Sequence, residues 1–482
     1  MRCWLTLAVV LLVQTNILAH AEEKPLPARA RDGLHKAVGF FTQEVATEGG
    51  YLWRYSEDLK AREGEGKASA TTVWVQPPGT PSVGLALLEV YRETGGAACL
   101  EAAKKAGYCL VRGQLRSGGW DYRIEFNPKE RKRYTYRVDS PAEGKSQRDT
   151  TTLDDNNTQA ALRLLMRLDQ TLHFKDAQIK EAAEYGLSAV LNAQYPNGAW
   201  PQRFQQPPDP AKFPVKKASY PESWSRTFPR VDYRAYYTFN DHAMSDVLSL
   251  MFEAGRIYED PRYRKAAERC GDFILLAQMP EPQPAWAQQY DADMHPAWAR
   301  KFEPPAVTGG ESQGVLQTLL DLYRETGDKK YLEPIPSALA YLRRSLLPDG
   351  QLARFYELQT NRPLYFTTRY ELTYRDDDLP THYSFKVGQN LDRIEREYQK
   401  LLALAPKQLG QRPVKRRTKP SQALITRVEG VLSALDGRGR WVEDGRLKYQ
   451  GPEDPPRRII DCQTFIRNVS LLGEYLAAVA EQ

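Results

Sequence analysis

One unit recurs along this chain and restricts its fold more than any other feature. It is an amphipathic helix, a short turn, a second helix, and then a loop carrying Gly and Trp. A first copy runs from Val83 through Glu101-Ala102-Ala103 to Gly118-Gly119-Trp120. The next begins at Thr158, turns at Lys175-Asp176, resumes at Glu181-Ala182-Ala183 and ends at Asn197-Gly198-Ala199-Trp200. A third starts at Ala243-Met244, turns at Glu259-Asp260-Pro261 and reaches Trp286; a fourth starts at Ser312, turns at Gly327-Asp328 and closes at Pro348-Asp349-Gly350. Weaker echoes lie at Gly49-Gly50-Tyr51-Leu52-Trp53 and from Gly437 to Trp441. In the second copy Ala161, Leu164, Leu165 and Leu168 fall at i, i+3, i+4 and i+7, the stripe of a helix with one buried face.

Helix pairs of uneven period stack as antiparallel hairpins and gather their insertions on one face. Curled round, they give an all-α fold, an α/α toroid-like array with its working groove at the loop end. Two insertions follow Gly/Trp loops and so hang over one rim: a basic one from Asn127 to Arg148, and one rich in Pro and aromatics from Gln205 to Phe239. A short hairpin is expected within Arg354 to Arg375, and strands are otherwise expected to be scarce. Beyond Asp376 come a charged helix (Asp392 to Leu404), a Pro/Lys/Arg-rich linker (Lys407 to Pro420) and two more helices (Leu424 to Leu435, Phe465 to Ala480). The organisation expected is a signal peptide over 1–21, a toroid catalytic domain over 22–380, and a helical extension over 381–482 capping the array.

The leader is read from Arg2, the apolar run Leu5 to Val13, and the small-x-small site Ala19-His20-Ala21. It implies a secreted, periplasmic or extracellular protein with no membrane span. A net charge of +6 does not imply nucleic acid, but it suits an anionic ligand met outside the cell. Cys99, Cys109, Cys270 and Cys462 remain after the leader, and the absence of C-x-x-C argues against zinc. Cys109 and Cys270 read as buried thiols, while a Cys99–Cys109 bridge stays open. The 27 Tyr and nine Trp suit a wet sugar groove, although most belong to the core.

Four oxygen-bearing side chains in a row, Asp154-Asp155-Asn156-Asn157, stand at the head of the second repeat's first helix. Helix capping uses one or two such residues; a run of four also suits a hard cation such as Ca²⁺ or Mg²⁺. Asn240-Asp241-His242 precedes the next repeat's helix, at the place of Asp155-Asn156, which implies that helix N-termini converge on one site. Arg300 sits beside Trp298 in a Pro-bounded loop. Arg354, Arg362 and Arg369 interleave with Tyr356, Tyr365 and Tyr370, a pattern suited to gripping carboxylates between sugar-stacking rings.

These pieces together resemble polysaccharide lyase family 10, the pectate lyases. The matching stretches are Thr151-Thr152-Leu153-Asp154-Asp155-Asn156-Asn157-Thr158, Tyr195-Pro196-Asn197-Gly198-Ala199-Trp200-Pro201-Gln202-Arg203, Tyr237-Thr238-Phe239-Asn240-Asp241, Ala299-Arg300-Lys301-Phe302-Glu303-Pro304-Pro305-Ala306 and Ala353-Arg354-Phe355-Tyr356-Glu357-Leu358. The resemblance implies Ca²⁺-assisted anti β-elimination on polygalacturonate; a monomer is expected. It places Asp155 and Asp154 at the metal and Arg300 as the base, with Arg354 the rival for that role. Asn156, Asn240, Asp241, Lys301, Arg354, Arg362, Arg369 and Trp200 would contact substrate. Two other readings fit the residues: an inverting glycoside hydrolase using Asp155 and Asp241, and a non-catalytic repeat protein that binds anionic glycans.

Overall fold

The computed structural model describes residues 24–140, 147–405, 408–410, 419–451, 454–455 and 457–480. The expected signal peptide lies outside the described residues, as does most of the Lys407–Pro420 linker. In chain order the helices are α1 (Leu26–Phe40), α2 (Thr80–Thr94), α3 (Ala97–Gly113), α4 (Pro128–Arg131), α5 (Asn157–Thr171), α6 (Ala177–Asn192), α7 (Ala243–Tyr258), α8 (Pro261–Leu276), α9 (Gly309–Thr326), α10 (Ile335–Arg344), α11 (Leu391–Leu402), α12 (Gln422–Ser433) and α13 (Cys462–Val479). The repeats form the hairpins α2/α3, α5/α6, α7/α8 and α9/α10, with α2 packed on α5 and α5 on α7. The ring is carried on by α11 against α9 and α10. At the other end α13 lies along α2 and α1, and α12 packs on α1. One hairpin of this α/α toroid is thus assembled from the two ends of the chain, and strand Arg54–Ser56 pairs antiparallel with Arg457–Asp461 beside it.

The α2/α3 hairpin turns at Gly95-Gly96 without a side-chain cap, whereas the turns of the other three hairpins carry an Asp that accepts from backbone N–H groups just after it. Asp176 does so for Gln178 and Ile179, Asp260 for Arg262, and Asp328 for Lys330. At the opposite end the Gly/Trp loops repeat a single device. Gly118, Gly198, Gly350 and Gly439 all have positive φ. The turn before the Trp closes through matching backbone bonds, such as Leu115 N–H to Gly119 O and Tyr195 N–H to Ala199 O. The indole N–H then donates to a carbonyl near the end of the preceding helix: Trp120 to Leu110, Trp200 to Val190, Trp286 to Ile274 and Trp441 to Val431, at 2.8–2.9 Å. At Gly198 an added Cβ would lie 2.0 Å from the Arg269 carbonyl oxygen, so only glycine fits.

Trp200 is therefore not a substrate platform. It is 1% exposed and its one polar atom is spent on Val190, so the expectation that it contacts sugar is corrected. Strands are short but more frequent than expected. The hairpin within 354–375 forms, with Phe355–Tyr356 paired to Pro363–Phe366 and onward to Leu372–Thr373. The four described cysteines are free and buried, so the open Cys99–Cys109 bridge does not form; burial pushes the Cys99 thiol up to about 11 and Cys109 up to about 12.

Candidate active site

The heads of α5 and α7 fold alike because their sequences do. The Thr152 hydroxyl accepts from the Asp154 N–H (3.2 Å), and the Thr238 hydroxyl from the Asn240 N–H (3.1 Å). Two left-handed residues follow in each case, Asp155 (φ +51°) and Asn156 (+57°), then Asp241 (+48°) and His242 (+59°). Such backbone costs a non-glycine residue about 1 kcal/mol or more. By this geometry Asp155 matches Asp241 and Asp154 matches Asn240, one position away from the register expected from sequence. Neither Asn156 nor His242, the residues in the capping position, makes a side-chain cap bond. The acidic run is not simply a helix cap.

The doublets throw carboxylates together. One oxygen each from Asp154, Asp155 and Asp241 lies within 4.8 Å of the others. Asp154 is buried, Asp155 half-buried and Asp241 exposed. The Tyr122 hydroxyl stands 2.9 Å from Asp154 Oδ2 and 3.3 Å from Asp155 Oδ2, and Arg203 approaches Asp154 Oδ2 at 3.7 Å. Burial, then the charges of Asp154 and Asp241, push the Asp155 carboxyl up to about 7. Burial and Asp154 raise Asp241 as well, against the pull of Arg300. Asp154 Oδ1 and Asn156 Oδ1 are buried with no hydrogen-bond partner. Crowded carboxylates and orphaned acceptor oxygens are what a hard divalent cation satisfies, so the donor set fits Ca²⁺.

Arg300 forms the second group. Its Nε and Nη2 donate to the two oxygens of buried Glu303, at 2.9 and 2.5 Å, and its charge is felt at Asp241. Burial alone would lower its affinity for the proton, but Glu303 more than offsets this and the guanidinium is held charged. Glu303 also accepts from Tyr383 at 3.0 Å.

Arg354 forms the third group. Its Nη1 pairs with Glu311 Oε1 at 2.9 Å, and with Asp241, His242 and Glu311 it lines a cavity of about 250 Å³. Glu311 opens α9 as Asp241 opens α7, and its Oε2 is another buried oxygen without a partner. Asn240 donates to Asp241 Oδ2 at 2.5 Å. Lys301 lies 3.4 Å over the Tyr370 ring and Arg362 3.4 Å over Tyr374, while Arg369 is exposed.

Tyr122, Arg203, Glu303, Glu311 and Tyr383 are the site residues that sequence reasoning did not single out. A signal existed for three of them: Arg203 and Glu303 stand inside motifs already set apart, and the Arg300 loop leads into Glu311 before the fourth repeat's helix.

This α/α toroid, with clustered carboxylates and arginines at its loop end, is the framework of a polysaccharide lyase. Residues 114–351 match the family model described as Pectic acid lyase. No curated protein matches the chain. Among solved structures it is similar to a family 10 polysaccharide lyase from Cellvibrio cellulosa, with 20% identity, 67% of this chain and 98% of that chain covered, and a TM-score of 0.45. A mutant of a Cellvibrio cellulosa family 10 lyase in complex with trigalaturonic acid gives 19% identity, the same coverages and a TM-score of 0.46. A cellobiose 2-epimerase from Spirochaeta thermophila gives 14% identity over 70% of this chain and 75% of that chain, with a TM-score of 0.41.

Proposed function

We propose that this chain is an exported, monomeric, calcium-dependent pectate lyase that cleaves polygalacturonate by anti β-elimination and leaves a 4,5-unsaturated galacturonate end. The observation that carries this reading is the triad Asp154, Asp155 and Asp241, within 4.8 Å of one another and backed by the orphaned Asp154 Oδ1. These residues, with Asn156, would hold the calcium. Bound there, the ion would supply positive charge to a uronate carboxylate as the neighbouring C–H bond is broken. Export rests on the leader read at 1–21, and no described helix is long and apolar enough to cross a membrane.

The C5 proton of galacturonate is α to a carboxylate, so its removal adds negative charge to a group already anionic. Arg300 is the proposed base. It must first give up a proton, and two carboxylates oppose that: Asp241, which belongs to the cation cluster, and Glu303, which grips it directly. Arg354, Lys301, Arg362 and Arg369 supply cations for neighbouring uronates along the strand-rich rim. An inverting hydrolase fits less well, because its acid and base carboxyls stand about 6.5–9.5 Å apart to admit a water, whereas oxygens of Asp155 and Asp241 come within 4.8 Å.

The test is to incubate the enzyme with polygalacturonate and follow the ultraviolet absorbance of the conjugated unsaturated product. The absorbance is expected to appear, to vanish with chelator and to return with Ca²⁺. New reducing ends without absorbance would mean hydrolysis, and binding without turnover would leave only a glycan-binding protein.

A further inference from the structure

We propose that Tyr383 is a positioning residue for the elimination, setting how tightly Glu303 holds Arg300, and that the segment 383–387 is thereby part of the working site. The segment lies beyond the family-matched residues 114–351. This rests on the reading of Arg300 given above.

Glu303 is 1% exposed, yet it receives the backbone N–H of Arg300 (3.0 Å), both arms of the guanidinium, and the Tyr383 hydroxyl at 3.0 Å on Oε1. That oxygen is the one that also accepts from Arg300 Nη2, so the tyrosine and the arginine compete for its electron density. The Tyr383 ring lies between two cations, 5.4 Å from Arg300 and 4.6 Å from Arg354, and its face stacks on Phe355. The same segment holds Arg354 in place. Its Nε donates to the Ser384 carbonyl (2.7 Å), its N–H donates to the Phe385 carbonyl (2.8 Å), and Lys386–Val387 pairs with Leu352–Ala353. Charged and titratable groups facing Arg300 are Glu303, Asp241, Tyr233 and Tyr383; those facing Tyr383 include Arg354, Glu311 and His382.

Removing only the hydroxyl leaves the whole charge of Glu303 Oε1 to the arginine, so the proton on Arg300 becomes harder to release. Tyr383→Phe should therefore lower kcat about tenfold at fixed pH, move the rise of kcat upward by about one pH unit, and leave the KM and Kd for trigalacturonate within about twofold. A purely structural tyrosine would lower the amount of folded enzyme without moving the pH profile. An unchanged profile and kcat overturns the proposal, and so does a loss carried entirely by Kd.

A readout without substrate separates this from the functional reading. In ¹⁵N-labelled protein, exchange with water of the Arg300 Nη2 protons, which are given to the shared Oε1, should slow several-fold in Tyr383→Phe. Equal exchange in both proteins overturns the inference whatever the activity. A wild-type enzyme that forms no unsaturated product from polygalacturonate overturns the functional reading instead.

Discussion

Asp155 and Asp241 hold the same left-handed backbone position, φ +51° and +48°, at the heads of α5 and α7, and this doubling brings their carboxylates within 4.8 Å. A single strained acidic residue would be a local oddity. Two from successive repeats, together with Asp154, concentrate negative charge that Tyr122, Arg203, Asn240 and the more distant Arg300 offset only in part, since Asp155 and Asp241 both stay raised. On the proposed reading, a cation bound by these carboxylates offsets that cost.

The first consequence concerns the ion. Ca²⁺ is expected to raise the melting temperature of the wild-type chain by several degrees, since a ligand that binds only the folded state stabilises it in proportion to its occupancy. Asp155→Ala should lose that response and the lyase activity together, and excess Ca²⁺ should not restore either. Calorimetry with and without chelator checks it; an undiminished shift in Asp155→Ala would remove the residue from the cation site.

The pH dependence follows with a definite sign. The Asp155 carboxyl is raised from 3.8 to about 7 in the folded chain. Between those values the folded state binds more protons than the unfolded state, so this residue favours the fold at low pH and loses that contribution as pH rises toward 7. In chelator, Asp155→Asn should flatten the fall in urea midpoint between about pH 4 and pH 7 relative to wild type. Above about pH 7, Ca²⁺ should restore to wild type much of what the bare carboxylate takes away. A wild-type curve parallel to that of Asp155→Asn would contradict the raised value.

The helical hairpins were legible because a 3.6-residue stripe depends on burial alone, and α11, α12 and α13 fall within three residues of the ends expected for them. The acidic cluster was legible as residue types but not in register. Matching Asn240-Asp241 to Asp155-Asn156 followed the letters Asp and Asn, whereas the backbone aligns on Thr152 and Thr238, whose hydroxyls set the turn. Trp200 misled for a related reason. A Trp in a Gly loop reads as a sugar platform, and only the chain's path shows the indole turned inward to the Val190 carbonyl. Tyr383 carried no local signal; it reaches the site through a pairing with Glu303, far off in sequence.

That inward turn gives Trp200 a stability role that can be separated from binding. Trp200→Phe removes the bond to Val190 and leaves a gap where the larger ring filled the core. The cost is expected to be about 1–3 kcal/mol by denaturant unfolding. KM for polygalacturonate should stay within about twofold, because the indole never meets solvent. A large rise in KM with unchanged stability would return this residue to the groove.

Arg300 is the residue on which the proposed chemistry turns, and its replacement by lysine asks the sharpest question. Lysine keeps the positive charge near Asp241 but not the planar fork that engages both oxygens of Glu303. If Arg300 served only to attract uronate, Arg300→Lys would retain most of its turnover. If it takes the C5 proton, the shorter, differently shaped group cannot stand in the same place, and kcat is expected to fall by about a thousandfold or more while trigalacturonate still binds. Binding by calorimetry alongside the elimination rate distinguishes the two. Near-full activity in Arg300→Lys would remove it from the base role and leave Arg354, which is paired to Glu311 and lines the 250 Å³ cavity with it, as the next residue to replace.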